Sequence, residues 1–417
     1  MTQPTTNRLR VLLVSQHYWP ESFRINAVTT DLVRAGCEVT VLTGQPNYPA
    51  GKVFEGYRAL DARDEVHCGI VIQRVPLVPR GRGGALRLVM NYLSFVLFAG
   101  TVGPWRLRRQ SFDVIFVYAT SPILQAIPAI LLKRLKRCAL VTWVQDLWPD
   151  SLAATGYVKN VRVLAAVERV VRWIYAANDL LLTQSPGFVP RVQALAGATP
   201  VHFHPNPADG TDVQGAGAAP VLTLRPGFNL VFAGNMGKAQ GLDALLDAAQ
   251  MLEDLAGFTL VLVGSGQLDD WIAKQVTHRP LKNVHIAGRF APSAMPGILA
   301  QASALLVSLG DDPALELTIP AKVQTYLVAG KPIIAAAGGE TARIVQEAGA
   351  GLACRAGDAR SIANAIRQLH GLERAEREAM GVRGRAYAKE HFDADKLARQ
   401  LMDRFSEAIR ASRSHRS

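Results

Sequence analysis

Leu230-Val-Phe-Ala-Gly-Asn-Met-Gly-Lys-Ala-Gln-Gly241 joins a short apolar run to a loop with three glycines and then to a helical stretch that reaches Leu255. A continuous apolar run of this length reads as a strand buried on both faces. Glycines at a strand–helix junction let the backbone approach a ligand closely. The helix that follows offers free N–H groups and a positive dipole end to an anion. Lys238 adds a formal charge, so the loop reads as a phosphate site with Gly234, Asn235, Gly237, Lys238 and Gln240 as its candidate contacts. It is not a Walker A sequence, which needs GxxxxGK[ST]. A second glycine turn, Val263-Gly-Ser-Gly-Gln267, follows the next apolar run and adds Gly264 and Gly266. Tight turns in any α/β domain share these features, so both readings stay open at this point.

The same alternation extends in both directions. Upstream, strands are expected at Arg10–Ser15, Glu38–Thr43, Ile70–Val75, Val114–Tyr118, Leu140–Val144, Leu180–Thr183 and Val201–His204, with helices such as Asn26–Ala35 and Val161–Ala177 between them. Downstream they recur at Thr259–Val263, Val284–Ala287, Leu305–Ser308, Ile333–Ala336 and Gly351–Cys354, with helices at Gly241–Leu255 and Pro292–Gln301. Strand–helix alternation implies right-handed crossovers and parallel sheets. A Gly/Pro/Ala stretch carrying Gly215, Gly217, Pro220 and Pro226 separates the two series. The expected architecture is therefore two doubly wound, Rossmann-like α/β domains facing a central cleft. Their expected bounds are 8–205 and 228–385, with a linker at 206–227 and a C-terminal helix at 386–417 that packs back on the first domain and frays into a basic tail from Arg410.

In doubly wound sheets, ligands bind beyond the carboxyl ends of the strands. After the first strand, Gln16-His-Tyr-Trp-Pro-Glu-Ser-Phe-Arg-Ile-Asn26 brings His17, Glu21, Arg24 and Asn26 to a helix start. The loop lacks GxGxxG, which argues against a dinucleotide-dependent dehydrogenase. Polar substrate recognition and a capped helix packed by Tyr18 and Trp19 are both open readings. Asp146 follows the fifth apolar run and is either a cleft carboxylate or a helix N-cap. In the second half, Lys322 falls in the first turn of a helix that ends at Gly330. A cation there opposes the helix dipole, a local cost that hints at an anionic ligand.

Composition narrows the class. Hydrophobic residues make up 49% and charged residues 19%, so the chain folds around real cores. Its 46 Lys and Arg against 34 Asp and Glu give a formal charge of +12, which favours an anionic partner. No aromatic–basic module points to nucleic acid. Cys37, Cys68, Cys138 and Cys354 lie far apart and read as free thiols of a reducing compartment. The acidic pairs Asp311-Asp312 and Asp269-Asp270 read as loop and solvated helix start, so no metal is expected. The N-terminus lacks the pattern of a signal peptide. From Leu88 to Trp105 there is no charged residue, while Arg80, Arg82, Arg87, Arg106, Arg108 and Arg109 flank the segment. A membrane span, a helix in the membrane interface and a buried structural helix all remain open for it.

Together these motifs resemble the retaining GT-B glycosyltransferases of family 4, and within them the fucosamine transferases of bacterial O-antigen and capsule assembly (the WbuB type). The resemblance runs through Leu13-Val-Ser-Gln-His-Tyr-Trp-Pro-Glu-Ser-Phe-Arg-Ile-Asn26, Val41-Leu-Thr-Gly-Gln-Pro-Asn-Tyr-Pro49, Gln145-Asp-Leu-Trp-Pro149, Gly234-Asn-Met-Gly-Lys-Ala-Gln-Gly-Leu242 and Thr318-Ile-Pro-Ala-Lys-Val-Gln-Thr-Tyr-Leu327. It implies a UDP-sugar donor held mainly by the second domain, with Arg289, Lys322 and Thr325 joining the two glycine loops. It implies a lipid-linked or saccharide acceptor on the first domain, near Arg24 and Asn26, and a place at the cytoplasmic face of the inner membrane on its anionic leaflet. Asp146, Glu21, His17 and Lys238 would carry the catalytic roles, with no cofactor or metal. The donor sugar implied is an N-acetylated deoxyhexosamine such as N-acetylfucosamine. Relatives commonly carry Arg and Lys in the phosphate loop where this chain has Asn235 and Gln240, leaving Lys238 as the loop's cation. Two glutamates spaced eight apart in relatives correspond to Leu317, beside Glu316, and Thr325. The competing expectations are a nucleotide-sugar epimerase or synthase on the same fold and a two-lobed ligand-binding protein.

Overall fold

The computed structural model describes residues 8–81, 84–154, 160–208 and 222–414. Arg82, most of the expected linker with Gly215, Gly217 and Pro220, and residues 415–417 of the basic tail lie outside the described residues. The first sheet contains β1 (Arg10–Val14), β2 (Glu38–Thr43), β3 (Asp64–His67), β4 (Ile70–Arg74), β5 (Val114–Ala119), β6 (Ala139–Val144), β7 (Leu180–Thr183) and β8 (Val201–Phe203). Their order across the sheet is β3-β4-β2-β1-β5-β6-β7-β8. The second sheet contains β9 (Phe228–Asn235), β10 (Phe258–Ser265), β11 (Val284–Gly288), β12 (Ala304–Ser308), β13 (Ile333–Ala336) and β14 (Gly351–Cys354), in the order β11-β10-β9-β12-β13-β14. All of these pairings are parallel except that of β3 with β4. The apolar runs form the centres of both sheets because strands covered by helices on both faces have no polar side to present.

Four elements differ from expectation. The helix expected at Gly241–Leu255 ends at Gln250. β3 carries no apolar run; Asp64 and Val66 are exposed at the sheet edge, and Glu65 pairs with the fully buried Arg74 guanidinium. The stretch Pro292–Gln301 is a single turn, Pro292–Ala294, followed by a helix at Met295–Gln301. The helix expected at 386–417 is broken after His391: one helix spans Arg374–His391 and the last spans Ala394–Ser414, regular to its end and not frayed from Arg410. Its Leu397, Leu401, Phe405 and Ala408 recur on one face and are buried, and Phe405 meets Phe116 of β5 at 5.1 Å edge to face. The last helix thus covers one face of the first sheet.

The opposite face carries the helix Ala85–Arg106. Asn91, Phe95 and Ala99 are fully buried beneath it. The Asn91 amide accepts a bond from Gln16 Nε2 at 2.7 Å and donates one to the Val78 carbonyl at 2.6 Å. Away from the domain, Leu86, Val89, Met90, Leu93, Leu97 and Trp105 are 47–74% exposed.

Each sheet has one point at which consecutive strands turn to opposite sides. In the first it lies between β1 and β5, in the second between β9 and β12. The loops after these strands are where a doubly wound sheet opens a crevice.

Candidate active site

At the second switch point, β9 ends in Gly234 and Asn235 and runs into a turn at Lys238–Gln240 and the helix Leu242–Gln250. Gly234 has φ 150° and Gly264 of the neighbouring loop φ 135°. A Cβ on Gly264 would lie 1.9 Å from the Gly234 carbonyl oxygen, so the two loops can stack only as glycines. The helix Ala321–Ala329 crosses beneath them. Its Tyr326 hydroxyl accepts from Ala233 N at 2.8 Å and donates to Ala233 O at 3.1 Å, which fixes that helix to the end of β9.

Lys322 occupies the space that Gly234 leaves. A Cβ there would be 3.2 Å from Lys322 Nζ. The ammonium donates to Gln240 Oε1 at 2.7 Å and lies 4.1 Å over the Phe232 ring. No carboxylate pairs with it among the described residues. The surrounding chain strips water from the charged form and pushes its pKa down to about 7. A cavity of about 540 Å³ opens above it. Gly234, Asn235, Gly264, Gly266, Arg289, Lys322 and Thr325 line this cavity on the second domain, with Phe290 and Met295, while Tyr48 and Pro49 close it from the first domain.

Seven of the expected donor contacts are thus brought together. Lys238, Gly237 and Gln240 do not line the cavity. Lys238 is exposed on the turn Lys238–Gln240. Gln240 reaches the site only through its bond to Lys322. Contrary to expectation, the cation inside the glycine loop therefore comes from the helix Ala321–Ala329. Glu316 is exposed, and Asp312 caps its short helix by accepting from Ala314 N at 2.8 Å.

In the first domain, the loop after β1 is a framework. His17 Nδ1 lies 2.8 Å from Glu21 Oε2, and Glu21 Oε1 accepts from Asn47 N at 2.7 Å and Tyr48 N at 2.6 Å. Glu21 is 2% exposed and His17 4%. His17 stacks on Phe23 at 5.0 Å, and both rings pack against Tyr48. The pair expected to act in catalysis holds Tyr48 at the cavity wall. Asn26 likewise turns inward, accepting from Trp19 N at 3.0 Å and donating to Glu21 O at 2.8 Å. Arg24 bridges the domains through bonds to the carbonyls of Pro207 and Ala321. In this structure both side chains make bonds to the backbone.

Asp146 follows β6 and does not cap a helix. Its Oδ2 accepts from both Ser121 N and Ser121 Oγ at 2.9 Å, and Ser121 Oγ accepts from Trp148 Nε1 at 3.0 Å. Burial raises its pKa against the lowering pull of those two bonds. Tyr48 and Pro49 were not among the expected site residues. Their signal was the loop Gln45-Pro-Asn-Tyr-Pro49 directly after β2. A larger cavity of about 640 Å³, lined by Lys331, Arg374, Arg377 and Arg385, opens beside Ser303 and Pro332 at the amino ends of β12 and β13, away from both switch points. Among the described residues, no three His, Cys, Asp or Glu side chains come together as a metal site.

Two family models match the chain. Residues 23–207 match the glycosyl transferase 4-like domain and residues 227–371 the glycosyl transferases group 1 family. These stretches together take in most of the chain; the second spans all of the second sheet, and the first spans the first sheet except β1. The chain belongs to the group 1, 4-like glycosyltransferases of GT-B fold. It is similar to WcaI of Escherichia coli (strain K12), assigned by name as a glycosyl transferase of colanic acid biosynthesis, at 24% identity over 77% of this chain and 82% of that one. Among solved structures it is similar to sucrose-phosphate synthase from Thermosynechococcus elongatus, with a TM-score of 0.74 and 16% identity over 97% of this chain and all of that one. HepE of Anabaena, solved in complex with UDP, superposes with a TM-score of 0.64 at 15% identity, covering 95% of this chain and 100% of that chain.

Proposed function

We propose that this enzyme is a retaining, metal-independent glycosyltransferase that moves a sugar from a UDP-sugar to a lipid-linked saccharide in bacterial surface-polysaccharide synthesis. In this reading it works at the cytoplasmic face of the inner membrane. The observation that carries the donor assignment is Lys322, an enclosed cation without a carboxylate partner among the described residues, set inside a glycine loop at a strand-end crevice. A diphosphate is the natural counter-charge for such a group. UDP in the HepE complex supports the nucleotide class, and the name of WcaI supports the polysaccharide setting. The apolar wall of Phe290, Met295 and Leu299 suits the methyl groups of an N-acetylated deoxyhexosamine.

In the reaction, the bond between the anomeric carbon and the diphosphate oxygen breaks, and UDP leaves with the electron pair. Lys322 and Arg289 face the charge as it grows. The acceptor hydroxyl attacks the oxocarbenium-like carbon from the face the diphosphate has left. Its proton passes to the departing diphosphate. Asp146, held by Ser121, orients the acceptor hydroxyl. Domain closure over Tyr48 brings the two substrates together.

Two substitutions test the donor assignment. Lys322→Met should reduce turnover about 10²–10³-fold, the usual effect of losing one preorganised electrostatic contact. Lys238→Ala should stay near wild type. The reverse pattern would move the diphosphate to the outer side of the loop.

A further inference from the structure

The first domain carries an apolar groove of about 450 Å³ that none of the roles above uses. Leu124, Trp148, Val163, Ala166, Val167 and Val170 line it, and among the described residues Arg162 is its one charged lining residue. Three observations bear on its occupant. The inner wall is Trp148, whose indole N–H donates to Ser121 Oγ at 3.0 Å, and Ser121 in turn holds Asp146. The groove wall is therefore joined to the carboxylate that follows β6 through two hydrogen bonds, by way of Ser121. The helix Val161–Ala176 that lines the groove also exposes Val161 at 77% and Trp173 at 48%. That helix and Ala85–Arg106, which bears the exposed Leu93 and Leu97, pack into the same core on the same face of the first sheet. Finally, the Arg162 side chain pairs with no carboxylate or carbonyl among the described residues and is exposed beside these apolar side chains.

An apolar channel of this volume is costly to leave exposed to water. One ligand class satisfies all three observations: a lipid diphosphate, with its hydrocarbon chain against Val163, Ala166, Val167 and Val170 and its anionic head toward Arg162. We infer that this groove binds the proximal part of the lipid of the acceptor, so that the sugar beyond the diphosphate reaches Asp146. The inference rests on the lipid-linked acceptor proposed above and assigns it a place.

Farnesyl diphosphate is a suitable probe, titrated calorimetrically into the full chain. Wild type should bind it, and Ala166→Trp, which fills the groove from an exposed helical position, should bind it about tenfold or more weakly. UDP affinity should be equal in the two proteins, which shows that the variant is folded. Inorganic diphosphate at matching concentration should not compete. Equal farnesyl diphosphate affinity in wild type and Ala166→Trp would overturn the inference, and so would full competition by inorganic diphosphate. A parallel transfer assay separates this inference from the acceptor reading. Transfer to a lipid-linked acceptor that Ala166→Trp leaves unchanged removes the groove and keeps the acceptor. Farnesyl diphosphate binding that depends on Ala166, in an enzyme that transfers only to soluble saccharides, keeps the groove as a lipid site and removes the acceptor.

Discussion

Lys322 shows how little of a site is visible one residue at a time. Its sequence position, in the first turn of a helix, marks a cation with an unfavourable dipole and nothing more. What makes it a site is Gln240, 82 residues away, and the missing side chain of Gly234. Lys238 was the more legible cation because it stands inside the glycine loop, yet loop sequence does not say which way a side chain leaves the backbone. With its pKa pushed down to about 7, Lys322 is largely neutral at pH 8 in the free enzyme. In the unfolded chain it would hold its proton to about pH 10.4. Between those values the unfolded state binds more protons, so this group makes the fold more stable as pH rises through that window and bears its full cost below about pH 7. A bound diphosphate reverses the balance by favouring the charged form. UDP binding at pH 8, above the phosphate's own titration near about pH 6, should therefore take up close to one proton, read by calorimetry in buffers of differing ionisation enthalpy. Lys322→Met should take up none, and zero uptake by wild type would contradict the assignment. Glu21 gives a second test at this scale. Glu21→Ala strands the Asn47 and Tyr48 N–H groups, at about 1–3 kcal/mol for each orphan. It should lower stability in urea by a few kcal/mol, on the order of those two penalties together. Unchanged stability with lost turnover would put Glu21 in the chemistry instead.

At the scale of elements, periodicity revealed most strands because apolar runs buried on both faces have few alternatives. It missed β3, whose Asp-Glu-Val-His is held by an ion pair and an edge position and not by burial. The helix Ala85–Arg106 was the hardest to read. Its lack of charge is plain, and Asn91 and Ser94 interrupt its apolar run. They are its docking face, bonded to Gln16 and to Val78 N. A helix tied down by buried amides would lose those bonds on crossing a bilayer, whereas its exposed stripe can lie in a membrane interface without disturbing them. The exposed basic flanks Arg87, Arg108 and Arg109 then suit an anionic leaflet. Wild type should sediment with vesicles containing anionic lipid and be released by high salt. Leu93→Glu combined with Leu97→Glu should remain in the supernatant with unchanged thermal stability, since both side chains are already exposed. Sedimentation of the double variant with vesicles would place the contact elsewhere.

At the scale of the molecule, the two-domain plan was legible because the strand–helix alternation stops and restarts. The way the halves meet was not, since it depends on contacts between residues remote in sequence. Ser185 Oγ donates to Leu317 O at 2.6 Å, Arg24 spans to Ala321, and Ala208 N donates to Phe392 O at 2.9 Å where the chain passes between the halves. These contacts set Tyr48 and Pro49 of the first domain against the Lys322 cavity of the second, so the donor site is complete only when both domains are present. The most direct test is turnover itself: a panel of UDP-sugars offered with a lipid-linked saccharide acceptor in excess EDTA, with released UDP and glycosylated lipid both measured. Acceptor-dependent release of UDP in step with product, insensitive to the chelator, is the expected result. No UDP release with any donor, or activity that EDTA abolishes and Mg²⁺ restores, would contradict a donor diphosphate held by Lys322 and the glycine loops.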